Sequence, residues 1–170
     1  MRILTVRQPW AWAIIHGGKD VENRVRNIAG AYRGPVAIHA GLALDLEAIK
    51  ASDRIHGPLH WAFRRASARL QEGIPPWRGW FGHIIGVVDL VDVHSLTETA
   101  GRRHCTTVPA PRELGESGAC STWAEPDAWH LELANPRPLA DPIPYRGALG
   151  LRTLDDDTTA RILAQIGAPS

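Results

Sequence analysis

The stretch from Pro9 to His16 constrains this chain more than any other. Trp10 to Ile15 is apolar on nearly every face, and Gly17 and Gly18 follow at once. A helix without a polar face has to be buried. Pro9 suits the first helical position, where its missing amide donor does no harm, and glycines are common helix ends. The chain then reads Lys19-Asp20-Val21-Glu22-Asn23-Arg24. A buried helix that stops sharply presents its next residues at a defined edge. Here they include a lysine, a carboxylate and an arginine, and charged groups on a short turn held by a rigid element are a common way to build a site.

The other elements follow from pattern. Ile3 to Val6, Val21 to Val25, Pro35 to His39 and the β-branched run His83 to His94 read as strands, with Gly86 marking a bend or bulge. Trp129, Leu131 and Leu133 alternate with His130 and Glu132, which predicts a half-buried strand. Asn135 to Tyr145 holds four prolines and is expected to be extended, and Gly147 to Leu151 to form a last short strand. Helices are expected over Asp45 to Ala51, Leu59 to Gln71 and Asp157 to Ile166, the last ended by Gly167. Residues 97–122 are polar and rich in Gly, Pro and Ser, and read as a long loop or insertion. Strands come first, in the middle and last, without a βαβ repeat. The expected fold class is therefore α+β, a small mixed β-barrel flanked by helices. A length of 170 residues suits one domain spanning 1–170.

No apolar run approaches the roughly 20 residues of a membrane-spanning helix, so no membrane partner is expected. The start, Met1-Arg2-Ile3-Leu4, meets Arg7 and Gln8 too soon for a secretory signal. Cys105 and Cys120 make no disulfide framework. These features predict a cytoplasmic protein with reduced thiols. Net charge is only +1, but residues 1–41 carry six basic side chains and two acids, leaving −3 for the rest. A basic N-terminal third on a nearly neutral protein suggests a local anionic ligand, whereas scattered arginine is the plainer account of the same composition.

Four segments carry a resemblance. They are Leu4-Thr5-Val6-Arg7-Gln8-Pro9-Trp10; Gly17-x-Lys19-x-x-Glu22-x-Arg24; Tyr32-Arg33-Gly34-Pro35-Val36-Ala37-Ile38-His39-Ala40; and the pair Ile85-Gly86-Val87-Val88-Asp89-Leu90 with Asn135-Pro136-Arg137-Pro138. In these the chain resembles the ASCH family, which is related to the PUA fold. The second segment fits the family's G-x-K-x-x-E-x-R pattern at every fixed position. The resemblance covers about residues 3–41 and 80–153. It implies a PUA-like barrel with a cleft and a role with RNA, single-stranded nucleic acid or a modified nucleoside. Family members include RNA-binding modules, an amidohydrolase of N(4)-acetylcytidine and a proposed ribonuclease. The amidohydrolase-type relatives carry threonine where this chain has Glu22; Thr5 and Ser121 are the hydroxyls considered as substitutes.

Lys19 is the central candidate. Near apolar side chains its ammonium loses hydration and its pKa falls, which suits a general base or nucleophile. Glu22 can relay a proton or accept from a base amino group, and Arg24 can hold a phosphate. A Lys-Glu-Arg cluster that only ties a turn to a strand is the structural alternative. Arg7 and Gln8 suit a base edge or phosphate, and Trp10 and Trp12 a stacking platform or core. Arg33 can approach a ligand backbone beside Gly34. His39, in a strand, is more often structural than catalytic. No cofactor is expected. Cys105, Cys120 and His104, with His130 or His94, are the zinc candidates, but without a C-x-x-C or a second close pair the spacing argues against a metal. Such a metal would staple the 97–122 insertion, whose Arg102, Arg103 and Arg112 could extend a nucleic-acid surface.

Overall fold

The computed structural model describes residues 1–54, 57–67, 79–99, 102–107 and 118–167. The fold is mixed α+β. In chain order the elements are β1 (Arg2–Gln8), α1 (Trp10–His16), β2 (Val21–Arg24), β3 (Gly34–Leu44), α2 (Leu46–Arg54), α3 (Pro58–Ser67), β4 (His83–Thr99), β5 (Arg102–Cys105), β6 (Trp129–Pro144), β7 (Leu151–Thr153) and α4 (Asp156–Ile166). The strands join in the order β2-β6-β4-β3-β1-β7, with β5 attached to β4. Among the described residues only β1 and β3 pair in parallel. The end strands β2 and β7 do not pair, so this sheet is not closed into the barrel expected from the sequence.

The sheet is covered on both faces, which explains its apolar runs. Successive strand residues point to opposite faces. Leu4, Val36, Ile38, Ile85 and Val88 pack with Ala11, Ile14 and Ile15 of α1. Their neighbours Ile3, Ala37, Ile84 and Val87 pack with Ile162 of α4. Burying each Ile side chain of α1 stabilises by about 1.5–3 kcal/mol, so this short helix is held by packing rather than by its own length. Pro9 caps α1 from outside its first turn. On α4, Asp155 accepts from the Thr158 amide and Gly167 follows the last turn.

Three expectations change. β6 runs on through the proline-rich stretch to Pro144. β2 covers only Trp129 to Glu132, so all four prolines fall where, among the described residues, one edge of β6 has no strand to donate to. Within 97–122, β4 continues to Thr99 and pairs with β5 as a hairpin, because Leu96 and Cys105 give that register an apolar pair. Residues 100–101 and 108–117 of that insertion, and Ala68 to Gln71 of the expected third helix, lie outside the described residues. The last strand begins at Leu151; Gly147 to Gly150 form a loop instead. A Cβ at Gly147 would come 2.6 Å from the His39 ring, so this loop passes too close to β3 for any side chain.

Candidate functional site

The end of α1 fixes Lys19. The amides of Gly17 and Lys19 both donate to the Ala13 carbonyl at 2.9 Å. Gly18 between them has φ +76°, a left-handed conformation that favours glycine. The chain then enters β2, whose alternation puts Glu22 and Arg24 on one face. Arg24 Nη2 lies 3.0 Å from Glu22 Oε1, and Lys19 Nζ lies 4.0 Å from Glu22 Oε2. Arg24 Nη2 also donates to the Thr5 carbonyl at 3.1 Å, tying β2 to β1.

The Lys19 side chain is buried rather than free at the turn. Its ammonium donates to the Val21 carbonyl and sits 5.3 Å from the ring centre of Trp10 and 5.6 Å from that of Trp123. The two indoles meet edge to face, their centres 6.4 Å apart. Burial holds the Lys19 pKa below the ordinary lysine range, while Glu22, Glu125 and Asp20 pull it back up. Burial pushes Glu22 above the usual carboxylate range, opposed by Lys19 and Arg24. Burial thus disfavours the charged form of both groups, and each is the largest influence opposing that effect on the other.

This cluster lines a cleft of about 830 Å³. Its walls come from β1, β2, β3 and the loop Tyr145 to Gly150. Four basic residues, Arg7, Lys19, Arg24 and Arg146, and three acids, Glu22, Asp45 and Glu125, reach it. Arg7 and Arg146 are exposed, whereas Lys19 and Glu22 are buried. Asp45 accepts from Trp10 Nε1 at 3.1 Å and from the Ala48 amide, which holds its carboxyl below the usual range. His39 lines the cleft too, with Nε2 3.0 Å from the Tyr145 carbonyl. A carbonyl only accepts, so the ring proton belongs on Nε2. Among the described residues, His39 Nδ1 and Arg24 Nε are buried without a hydrogen-bond partner. A second hollow of about 470 Å³ shares Trp10, Lys19, Asp45 and Glu125 with the first and continues past Trp123.

A family model for the ASCH domain matches residues 4–143. The chain belongs to the ASCH domain family. No curated protein matches it at a significant level. ASCH domains are PUA-like and associated with RNA binding. The match spans β1 through most of β6, and therefore every residue of Gly17-x-Lys19-x-x-Glu22-x-Arg24, but ends before the cleft wall at Tyr145 to Gly150.

The other residues singled out in this ASCH chain divide. Arg7, Trp10 and His39 join Lys19, Glu22 and Arg24 along the cleft. Trp12 is buried against Phe63, ring centres 5.1 Å apart. Gln8 is buried and accepts from the Trp12 amide. Arg33 pairs with Asp92 at 3.1 Å and lines neither hollow. Ser121 donates to Asp20, and the Thr5 hydroxyl accepts from the Ala148 amide; neither bonds Lys19. Asp45, Trp123, Glu125 and Arg146 were not anticipated. Arg146 had a legible sign, because Tyr145-Arg146-Gly147 repeats Tyr32-Arg33-Gly34, and it is the second copy that reaches the cleft.

Of the zinc candidates, Cys105 and Cys120 converge with His94 and His130, all four donor atoms within 4.8 Å of one another. His104 turns to the Cys105 carbonyl instead, at 2.9 Å. Burial, with Cys105 alongside, pushes the Cys120 thiol up to about 12.

The environment of Lys19 has a direct readout. The chain has two lysines, Lys19 and Lys50, so a carbon-13 lysine spectrum holds two side-chain signals, and Lys19→Gln assigns them. The Lys19 signal is expected to titrate below the ordinary lysine range. In Glu22→Gln it should move lower still, since the Glu22 charge is the largest influence holding it up. A Lys19 signal titrating at or above that range would mean that its carboxylates outweigh its burial.

Proposed function

We propose that this ASCH domain binds single-stranded RNA, or a modified nucleotide within it, in the cleft lined by Lys19, Glu22 and Arg24. The observation that carries this is the cleft's graded chemistry. Exposed Arg7 and Arg146 suit backbone phosphates. Trp10 and exposed Leu42 and Leu149 offer apolar surface to a base. The buried Lys19-Glu22 pair presents a donor and an acceptor to a base edge, and the unpartnered His39 Nδ1 and Arg24 Nε add one of each. The second hollow, joined through Trp10 and Lys19, favours a strand over an isolated nucleoside. A sheet that curls into a PUA-like barrel is the fold that goes with this reading.

Hydrolysis of acylated cytidine is the second reading, and one observation favours it. Lys19 pushed down and Glu22 pushed up across 4.0 Å resemble a general acid-base pair. Against it, the amidohydrolase-type threonine is absent, and the hydroxyls of Thr5 and Ser121 are engaged elsewhere.

Titration of the protein into short labelled RNA distinguishes the two. Binding is expected at low salt. With about two exposed arginines on phosphates, affinity should fall about sevenfold from about 50 to 200 mM salt. No binding at low salt, at protein concentrations well above micromolar, would defeat the binding reading. Release of cytidine from its N(4)-acetyl form by the wild type, lost in Lys19→Gln, would establish the second.

A further inference from the structure

The sheet register builds a second centre beside the cleft. His94 of β4 and His130 of β6 are direct cross-strand partners, and their rings meet at 89° with centres 5.3 Å apart. Leu96, two residues on, shares the face of His94 and pairs with Cys105 of β5. Cys105 therefore projects beside the two imidazoles. Its amide donates to the Gly118 carbonyl at 2.7 Å, which draws in the next segment, and the Cys120 amide donates to Cys105 Sγ at 3.2 Å. Two sulfurs and two imidazoles, contributed by four separate parts of the chain, come together in this way.

The hydrogen bonds among these groups crowd onto one nitrogen. Cys105 Sγ and Cys120 Sγ lie 3.3 and 3.5 Å from the same atom, His130 Nδ1. His130 Nε2 is 2.8 Å from the Glu125 carbonyl, which can only accept. The ring proton is thus on Nε2, and Nδ1 offers one lone pair to two thiols. Only one of them can use it. On the other imidazole, Nδ1 faces the carboxylates of Asp92 at 3.2 Å and Glu132 at 3.7 Å, and Nε2, turned away from them, lies 3.4 Å from the Thr107 hydroxyl, which the metal would have to displace. An outer nitrogen held by a carbonyl or a carboxylate is how metal-binding histidines are oriented.

We propose that Cys105, Cys120, His130 and His94 bind one Zn²⁺ ion in a closed, tetrahedral, structural site. Bonds of about 2.3 Å to sulfur and about 2.0–2.1 Å to nitrogen give tetrahedral edges of about 3.3–3.8 Å. Both sulfur contacts of His130 already match. All four donor atoms lie within 4.8 Å of one another, so no pair has to close by more than about 1.5 Å to reach these edges. Thiolate and imidazole donors select zinc over magnesium or calcium, and four protein ligands leave no open position for catalysis. Binding converts two thiols to two thiolates on the metal and releases two protons to solvent, so the site stays neutral. Asp92 and Glu132 remain outside it as partners of His94.

The ion would hold the cleft wall in place. The residues from Gly118 to Ala128 are in neither helix nor strand, yet they supply Trp123 and Glu125 to the Lys19 environment. Asn23 bonds the Trp123 carbonyl and the Glu125 amide. Zinc on Cys120 and His130 adds a second anchor on the same segment. The metal site stands without the RNA-binding reading.

The test uses full-length protein purified through a tag without histidine, under reducing conditions and without chelator. About one zinc per chain is expected by elemental analysis. Replacement by Co²⁺ should give the visible bands of tetrahedral cobalt together with thiolate charge-transfer absorption. Cys120→Ser and His94→Gln should each lose most of that absorption, whereas His104→Gln should keep it. Removal of the metal by chelation should lower the thermal midpoint of the wild type. Reduced wild type that holds no zinc and gives no tetrahedral cobalt spectrum overturns the site without recourse to any variant. So does a Cys105–Cys120 disulfide in freshly isolated protein, or a cobalt spectrum unchanged in both Cys120→Ser and His94→Gln.

Discussion

Lys19→Ala is expected to weaken RNA binding by about 10- to 150-fold while the protein stays folded. The magnitude is that of one charged hydrogen bond, about 1.5–3 kcal/mol. The loss should exceed that from any other single change in the cluster, because Lys19 touches every part of it. Its ammonium faces Trp10, Trp123 and Glu22 and lines both hollows. Truncation also leaves Glu22 with Arg24 as its remaining cation, and a buried carboxylate that loses a cation moves further toward its neutral form. Lys19→Met, which keeps most of the volume, separates charge from packing. If Met restores the thermal midpoint but not affinity, the charge serves the ligand. Glu22→Gln should weaken binding less than Lys19→Ala if the pair only binds. Should acylcytidine be hydrolysed, the two variants should lose turnover comparably. Lys19→Ala that unfolds readily yet binds RNA normally would make the cluster a structural tie between turn and strand.

The local part of this site was legible because its residues are neighbours in the chain. The two glycines, the lysine after them and the strand alternation of Glu22 and Arg24 all lie within Gly17 to Arg24, and no long-range pairing is needed to bring them together. The cleft's other wall was not legible for the converse reason. Tyr32-Arg33-Gly34 and Tyr145-Arg146-Gly147 are identical as sequence. What separates them is tertiary: Arg33 is drawn to Asp92, while Gly147 lies against His39. Trp123 and Glu125 reach Lys19 only because β2 pairs with β6 and Asn23 grips the segment before it.

The convergence of His94 and His130 was hidden in the same way. The pairing of β4 with β6 shifts register three times between Ile84 and Asp92. Each shift changes which residues oppose one another, so ligand spacing along the chain carried no trace of it. Closure of the expected barrel is likewise not a local property. Apolar and alternating runs identify strands, but nothing local states whether β2 and β7, at the ends of the order, would meet.

Trp12→Ala should act mainly on stability and Trp10→Ala mainly on binding, although the residues are two apart. Trp12 is 2% exposed. It packs with Leu59, Ala62 and Phe63 and its amide takes the Gln8 side chain. Truncating such a residue costs about 3–5 kcal/mol, against a total stability of about 5–15 kcal/mol for a domain. Chemical denaturation should therefore show Trp12→Ala losing a fifth or more of its stability, or failing to fold. Trp12→Phe, which leaves a smaller void, should fold and bind RNA as the wild type does. Trp10 is only partly buried, and its ring faces Lys19 where the two hollows meet. Removing a stacking surface costs about 1–3 kcal/mol per base, so Trp10→Ala should weaken binding by roughly 5- to 150-fold with a smaller loss of stability than Trp12→Ala. Trp10→Phe should recover most of that affinity, since a smaller ring still stacks but no longer donates to Asp45. If Trp10→Ala lowers stability as much as Trp12→Ala and leaves affinity intact, then Trp10 belongs to the core, and the ligand lies on the other side of the cleft, against Leu42 and Leu149.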